Sequence, residues 1–194
     1  MLVVPAIPYH VRKAAACVAS GGVVVYPTDT AYALGGRWDM RPVRQRIMRI
    51  KKRRDPRFTL IAADYVQALS VGKFPEHAKL LMEKYWPGPL SIACNNRVAV
   101  RVPDNAVARS LARRAGVLIA TSANISGQAA AYSVSTVVAY FQNQQYQPDM
   151  VLDAGRLPRR QPSAVVYCGK GGDIKIIRMG RIISTIKRDR IFFI

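Results

Sequence analysis

A mixed α/β fold, a sheet with helices packed on it, is predicted by three observations. Short β-branched runs alternate with helical apolar stripes through most of the chain. Strands joined by helical crossovers make a largely parallel or mixed sheet. Toward the C-terminus the runs crowd together around glycines, which favours antiparallel hairpins there. No linker, internal repeat or low-complexity segment divides the 194 residues, and half of them are hydrophobic, so one core and one domain are expected.

Each element follows from its own pattern. Residues 9–20 carry Val11, Ala14, Ala15 and Val18, a weak amphipathic helix, and a buried strand follows over 22–26. Residues 39–53 form a strongly basic helix with Val43, Ile47 and Ile50 as its apolar stripe. Phe58 to Ala62 is a strand. Pro75 to Trp86 is a helix with proline in its first turn and Leu80, Leu81 and Tyr85 on its buried side. Leu90 to Ala93 and Val98 to Val102 are strands. Asp104 can cap a helix that ends near Ala115, with Gly116 just past its end. Val117 to Thr121 is a buried strand, and Ser133 can cap a helix running to Phe141. After a polar loop over 142–148, short strands are expected at Val151-Leu152, Ala164 to Tyr167, Ile174 to Ile177 and Arg181 to Ile183.

Thirty basic residues against 11 acidic ones set a formal net charge of +19. Such an excess favours anionic partners: nucleotides, RNA or acidic membrane surfaces. Cys17, Cys94 and Cys168 are widely spaced and odd in number, which argues against a disulfide framework. With His10 and His77 the only histidines, a Cys/His zinc site is not expected. Cys17 and Cys94 sit in apolar runs and read as inert core residues. No apolar stretch reaches membrane-spanning length, and no signal-peptide pattern opens the chain. A soluble, cytoplasmic protein with reduced thiols is expected, with no membrane partner.

The most informative stretch is Gly22-Val-Val-Val-Tyr-Pro-Thr-Asp-Thr-Ala-Tyr-Ala-Leu-Gly35. Pro27 removes a backbone donor and is expected to stop the strand ladder. Thr28, Asp29, Thr30 and Tyr32 then stand just past a strand's C-terminal end, where α/β sheets place ligands. A simple strand-to-loop exit accounts for the run equally well. The segment Arg49-Ile-Lys-Lys-Arg-Arg54 ends the basic helix, with Arg41, Arg44, Arg46 and Arg57 around it and Asp55 the only acid nearby in sequence. Charges this dense repel one another, and a polyphosphate or RNA backbone would relieve them. A solvated basic face is the other reading. Val117 to Gly127 is a second strand running into a polar loop, whose Thr121, Ser122, Asn124, Ser126 and Gly127 can bring donors to a phosphate or form an ordinary turn. Arg101-Val-Pro103 closes another strand, and Trp86-Pro-Gly-Pro89 reads as a rigid turn. Gly169 to Asp173 fits neither the P-loop nor the dinucleotide fingerprint and reads as a hairpin turn. No Ser/His/acid set is readable, so any catalysis rests on positive charge and positioning.

Taken together and in order, Tyr26 to Gly35, Lys51-Lys-Arg53, Pro87-Gly-Pro-Leu-Ser91, Val98 to Asp104 and Ala120-Thr-Ser-Ala-Asn-Ile-Ser-Gly127 resemble the YrdC-like (TsaC) family of threonylcarbamoyl-AMP synthases. The similarity runs from about residue 8 to about residue 183. It implies a twisted mixed sheet flanked by helices around a concave, positively charged cavity. It implies a single YrdC-like domain over 1–194, with 184–194 a short tail and no second domain like that of the long synthases. It implies that L-threonine, bicarbonate and ATP give L-threonylcarbamoyl-AMP and pyrophosphate, for t6A formation at position 37 of tRNAs. Mg²⁺ would accompany the triphosphate, with no tightly bound protein metal site.

By the same resemblance, Lys51 and Arg53 are the catalytic pair. Thr28, Thr30, Tyr32 and Ser163 line the threonine pocket. Arg101, Ser122, Asn124, Ser126 and Arg178 contact the nucleotide. If Lys51 and Arg53 clamp phosphate, K51A or R53A is expected to cost about 2–4 kcal/mol of transition-state stabilisation. Melting is expected to stay in place, because exposed charges add little stability. Structured RNA or tRNA is a further partner class, and tRNA threonylcarbamoyl-transfer proteins act downstream. Several positions depart from the family pattern. Arg57-Phe-Thr59 replaces a Lys-Pro-Leu element, Ala33 replaces a glycine, and Leu90 to Val98 is short. Pro162-Ser-Ala-Val-Val-Tyr167 lacks the usual acid. Phe58-Thr59-Leu60 is similar to the YciO-like branch, which leaves an alternative: a nucleotide- or double-stranded-RNA-binding protein without this activity. On the synthase reading, the Arg57-Phe-Thr59 departure is expected to leave ATP binding in place and to weaken threonine binding or favour a related small substrate.

Overall fold

The computed structural model describes residues 1–93, 98–169, 171–180 and 182–188. Its strands are β1 (Leu2–Pro5), β2 (Val24–Pro27), β3 (Tyr32–Gly35), β4 (Phe58–Ile61), β5 (Leu90–Ala93), β6 (Val98–Arg101), β7 (Leu118–Ser122), β8 (Met150–Asp153), β9 (Ala164–Cys168) and β10 (Ile174–Arg178). Its helices are α1 (Pro8–Ala19), α2 (Arg41–Lys51), α3 (Tyr65–Leu69), α4 (Glu76–Tyr85), α5 (Ala106–Ala115), α6 (Val134–Phe141) and α7 (Ile183–Arg188). The strands form one mixed sheet in the order β1-β8-β2-β3-β7-β4-β6-β5-β9-β10. Parallel pairs β1/β8, β2/β8, β4/β6 and β5/β9 sit beside antiparallel ones, among them the expected C-terminal hairpin β9/β10.

Helices cover both faces. Val43, Ile47 and Ile50 of α2, Leu81 and Met82 of α4, Val137 and Phe141 of α6, and Ile183 and Ile186 of α7 share one core with Val23, Val25, Leu34, Leu60 and Val100. On the other face, Val11, Ala14, Ala15 and Val18 of α1 pack with Ala108, Leu111, Ala112 and Ala115 of α5 over Val24, Tyr26, Ile61, Leu118, Met150 and Leu152. Each fully buried aliphatic side chain contributes ~1.5–3 kcal/mol. This second layer stops partway along the sheet. Beyond it the facing residues shrink: Thr59 pairs with Ala120 on one side and Ala99 on the other, and Ala99 pairs with Ala93. Side chains that small cannot fill the depth that α1 and α5 occupy, so the face stays open.

Several elements differ from the sequence reading, each for a physical reason. Pro27 does not end the ladder. It pairs with Tyr32 as the last residue of β2, and the chain turns straight back as β3. The Thr28-Ala31 segment is therefore a hairpin turn, not an exit into a crossover. Its closure comes from Thr28, whose hydroxyl donates to the Ala31 carbonyl at 2.7 Å and accepts from the Thr30 and Ala31 amides. Asn105, not Asp104, caps α5 by accepting from the Ala108 amide at 3.0 Å. Leu80 is exposed, and Met82 takes the buried position. Strand β1 and helix α3 were not foreseen; both are too short to show a period. The strand expected at 181–183 does not form at Ile183, where α7 begins, and this helix extends into the stretch read as a tail. Cys17 is half-buried rather than a core residue, and Cys94 lies outside the described residues.

Gly35 marks the tightest approach between strands. A Cβ there would collide with the Ile119 carbonyl of β7, the same oxygen that accepts from the buried Tyr26 hydroxyl. Backbone cannot yield as a side chain does, so Gly35→Ala is expected to destabilise by about 3 kcal/mol or more, the upper end for overpacking. Urea denaturation measures it; a loss under about 1 kcal/mol would mean the β3/β7 pair shifts freely.

Candidate active site

The open face forms a cavity of about 620 Å³, a volume suited to a small-molecule ligand. Ala120, Thr59, Ala99 and Ala93 make its floor. Around that floor stand Arg53, Arg57, Arg101, Arg160 and Arg178, with Asp55 as the lining acid among the described residues.

One end of the cavity is built on the β2/β3 turn and the end of β6. Arg101 and Asp29 form an ion pair whose side chains are 5% and 4% exposed, with Nη1 3.0 Å from Oδ1. Arg101 also donates from Nη2 to the Thr30 hydroxyl at 3.3 Å. Arg178, the last residue of β10, donates to the Ser163 carbonyl at 3.0 Å and to its hydroxyl at 2.9 Å. Ser163 Oγ lies 3.1 Å from Ser91 Oγ. Burial, followed by the neighbouring Arg101 charge, pushes the Arg178 pKa down. The fold thus holds two guanidinium groups near each other, Arg101 paired to Asp29 and Arg178 bonded to Ser163.

The other end is built on the segment between α2 and β4. Lys52 ends α2 in the left-handed region at φ 52°, where a side chain costs ~1–2 kcal/mol. The amides of Lys52 and Arg53 return to the Arg49 and Met48 carbonyls at 3.1 and 2.9 Å. This reversal sends Arg53 into the cavity and keeps Lys51 inside the protein. Arg53 packs over the Phe58 ring and donates to the Arg57 carbonyl at 2.8 Å. Asp55 is gripped by the Arg57 guanidinium at 2.7–3.0 Å, which holds its carboxyl well below the usual range. Arg57 stands four residues before Ile61, which pairs with Arg101. At ~3.3 Å per residue the two arginine groups are about 13 Å apart along the strands.

Of the site residues expected from sequence, Thr28, Thr30, Tyr32, Arg53, Arg101, Ser122, Ser163 and Arg178 line the cavity. Lys51, Asn124 and Ser126 do not. Lys51 is 3% exposed, and its ammonium donates to the Ser122 carbonyl, the Asn124 carbonyl and Asn124 Oδ1 at 2.6, 2.9 and 2.7 Å. Ser122 Oγ also donates to Asn124 Oδ1, and the Ser126 amide donates to the Lys51 carbonyl at 2.9 Å. Lys51 is a strut between α2 and the loop after β7, so the expectation that its loss would leave melting unchanged is withdrawn. The buried Tyr32 hydroxyl is likewise engaged, donating to the Gly155 carbonyl at 2.7 Å and accepting from the Ala154 amide at 2.9 Å. Only its ring can face a ligand.

The sequence reading did not place Asp55, Tyr132 or Arg160 in the site. Thr59 was tied to substrate fit by its departure from the family pattern, and alternation in β4 puts it on the face opposite Phe58 and Leu60. Arg160 carried only its place in a basic run with Arg156 and Arg159. Part of the basic helix is neutralised inside the fold instead. Arg46 pairs with Asp149 at 2.6 Å, Arg44 donates to the Trp38 carbonyl and packs on its ring, and Arg49 packs on Tyr146.

A mixed sheet whose open face carries an arginine-lined cavity defines an α/β protein with a small-molecule-sized site. Residues 16–180 match the family model for Sua5, YciO and YrdC proteins, described as telomere recombination, and the chain belongs to that family. It is 32% identical over 173 residues to the threonylcarbamoyl-AMP synthase of Pseudomonas syringae pv. syringae, covering 81% of this chain and 91% of that one. It is 30% identical over 183 residues to the threonylcarbamoyl-AMP synthase of Pseudomonas fluorescens strain Pf0-1, covering 86% and 97%. Sua5 of P. abyssi in complex with L-threonine superposes with a TM-score of 0.85 at 25% identity, over 96% of this chain. The chain spans 59% of the length of that Sua5. YciO of E. coli superposes with a TM-score of 0.77 at 25% identity, over 99% of this chain and 98% of that one. These likenesses bear out the mixed sheet flanked by helices and the resemblance of the ordered motifs.

Proposed function

We propose that the chain is an L-threonylcarbamoyladenylate synthase, a nucleotidyltransferase that joins L-threonine, bicarbonate and ATP. One observation carries the reading: an arginine-lined cavity on the strands that bear the ordered motifs, with no histidine among its described lining residues and its carboxylate, Asp55, paired to Arg57. In the adenylation step the carbamate of threonine attacks the α-phosphorus with its own oxygen, so no side chain has to remove a proton there. The proton released when threonine's ammonium and bicarbonate give the carbamate and water passes to solvent. Catalysis is positioning and neutralisation of charge. The lining arginines would gather two anions that otherwise repel, ATP and bicarbonate, beside the carboxylate of zwitterionic threonine.

On this reading Thr30, the Tyr32 ring and Ser163 shape the threonine pocket, with Thr28 holding the turn that presents Thr30. Arg101, Arg178 and Ser122 meet the nucleotide, and Arg53 meets phosphate. Lys51, Asn124 and Ser126 act from behind the lining by holding the β7 loop. The carboxylates present, engaged by Arg101 and Arg57, do not fit a resident metal. Mg²⁺ would ride on the triphosphate oxygens and supply charge neutralisation there. A cytoplasmic location follows from the substrates, and structured RNA on the basic face of α2 is a second partner class.

Threonine- and bicarbonate-dependent pyrophosphate release from ATP is expected, and ATP turnover indifferent to both would sink the synthase reading. Thr59 stands on the cavity floor, so its effect falls on substrate fit. A calorimetric titration with ATP present is expected to show weak but specific threonine binding. ATP binding with no threonine response would favour the YciO-like alternative.

A further inference from the structure

Residues 154–162, between β8 and β9, have no regular structure and form one wall of the cavity through Arg160 and Pro162. Tyr132 fastens this wall. Its carbonyl accepts from the Leu157 amide at 2.8 Å, and its hydroxyl donates to the Arg160 carbonyl at 3.2 Å. Arg159 lies outward over the Tyr132 ring, 5.9 Å from its centroid. Its neighbour Arg160 lies toward the cavity.

Arg160 differs from the other lining arginines. Arg53 and Arg57 are bound within the Asp55 turn, Arg101 is locked to Asp29, and Arg178 is clamped on Ser163. Among the described residues the Arg160 guanidinium makes a single long bond, 3.4 Å to the Asp29 carbonyl, and the residue is exposed. A guanidinium has five N–H donors in a planar fork that matches phosphate oxygens. Four of the lining arginines are fixed in advance. The fifth hangs at the mouth on an irregular segment with its donors free.

We propose that Arg160 is a catalytic residue that takes the charge of the departing pyrophosphate, and this rests on the synthase reading above. In the step, an oxygen of the threonine carbamate forms a bond to the α-phosphorus. The bond from the α-phosphorus to the oxygen bridging it to the β-phosphorus breaks, and its electron pair stays on pyrophosphate. No proton moves. Charge therefore grows on the leaving group, which must also leave through the mouth. Arg160 is placed to meet it there, while the buried arginines stay with the part of the substrate that remains.

The test compares wild type, R160Q and R160K by titration with inorganic pyrophosphate and with AMP, and by the forward rate. R160Q is expected to bind pyrophosphate at least roughly tenfold more weakly and AMP as wild type does. Its kcat should fall about tenfold or more, as on losing a charge-assisted contact to the leaving group, with KM for threonine unchanged. R160K should recover part of both losses, since it restores charge but not the fork. Melting should stay in place, because the residue is exposed. Undiminished pyrophosphate binding in R160Q, or none in wild type, overturns the proposal. Arg160-dependent pyrophosphate binding in a protein that shows no threonine-dependent pyrophosphate release would keep this anion site and remove the synthase reading instead.

Discussion

Replacing Arg101 with leucine is expected to lower stability by about 3–5 kcal/mol, the range for breaking a buried ion pair. Arg101 and Asp29 are both almost sealed from water, Arg101 donates to Asp29 Oδ2 at 3.3 Å, and among the described residues no group donates a hydrogen bond to Oδ1. Leucine can occupy the space of the arginine stem, yet it strands the carboxylate. The loss should therefore come from Asp29 and not from packing. The double variant R101L/D29N removes that charge and should regain more than half of the loss. Nucleotide binding should be impaired in both, because both lack the Arg101 guanidinium. Urea denaturation of the three proteins, with nucleotide titrations alongside, separates the two effects. A double variant no more stable than R101L would assign the loss to packing, and an unaltered R101L would mean that the pair contributes nothing.

Lys51→Met should cost roughly 2–4 kcal/mol, because each hydrogen bond from a charged donor contributes about 1.5–3 kcal/mol and relief of the buried charge offsets part of the sum. Three bonds are lost at once, to the Ser122 and Asn124 carbonyls and to Asn124 Oδ1. Asn124 Oδ1 keeps the Ser122 hydroxyl and the Ser122 carbonyl keeps the Asn124 amide, so the Asn124 carbonyl bears most of the loss. The pH dependence has a defined sign. Burial, followed by the neighbouring Arg53 charge, pushes the Lys51 pKa down to about 8 from 10.5. The unfolded chain then binds the proton more tightly than the folded one. Wild-type stability gains from this group as pH rises through the window from about 8 to 10.5, and loses that gain as pH falls back through 8. K51M lacks the group, so the gap between the two proteins should widen toward pH 10, by at most ~1.4 kcal/mol per pH unit. Identical melting of the two at pH 7 would return Lys51 to the status of a solvated helix end.

The helices with clear apolar stripes were legible in the sequence. The stripe Val43, Ile47, Ile50 is buried as a 3.6-residue period requires, and Ser133 caps α6 as its position before the apolar run suggests. The hairpin β2/β3 was not legible, because Pro27 argues against a strand by itself. Its pairing with Tyr32 depends on a turn closed by side-chain bonds of Thr28, which local propensity does not encode. The same holds for Asn105 over Asp104. Both can cap, and only the path of the chain out of β6 selects one.

By itself the sequence determined that a mixed sheet would carry its polar loops at strand ends, and that five short motifs would recur in a fixed order. Local patterning suffices for both, since burial period and turn chemistry are properties of neighbouring residues. Tertiary structure alone decided which polar groups are free. Arg46 finds Asp149, 103 residues away, and Arg101 finds Asp29 across 72. Lys51 turns inward because a left-handed residue follows it, whereas Arg53 turns outward. Arg160, in a segment without any motif, reaches the cavity because Tyr132 fastens its wall. Charge density along the chain cannot separate these arginines, because each is free or engaged according to strand register and to partners brought from distant parts of the chain.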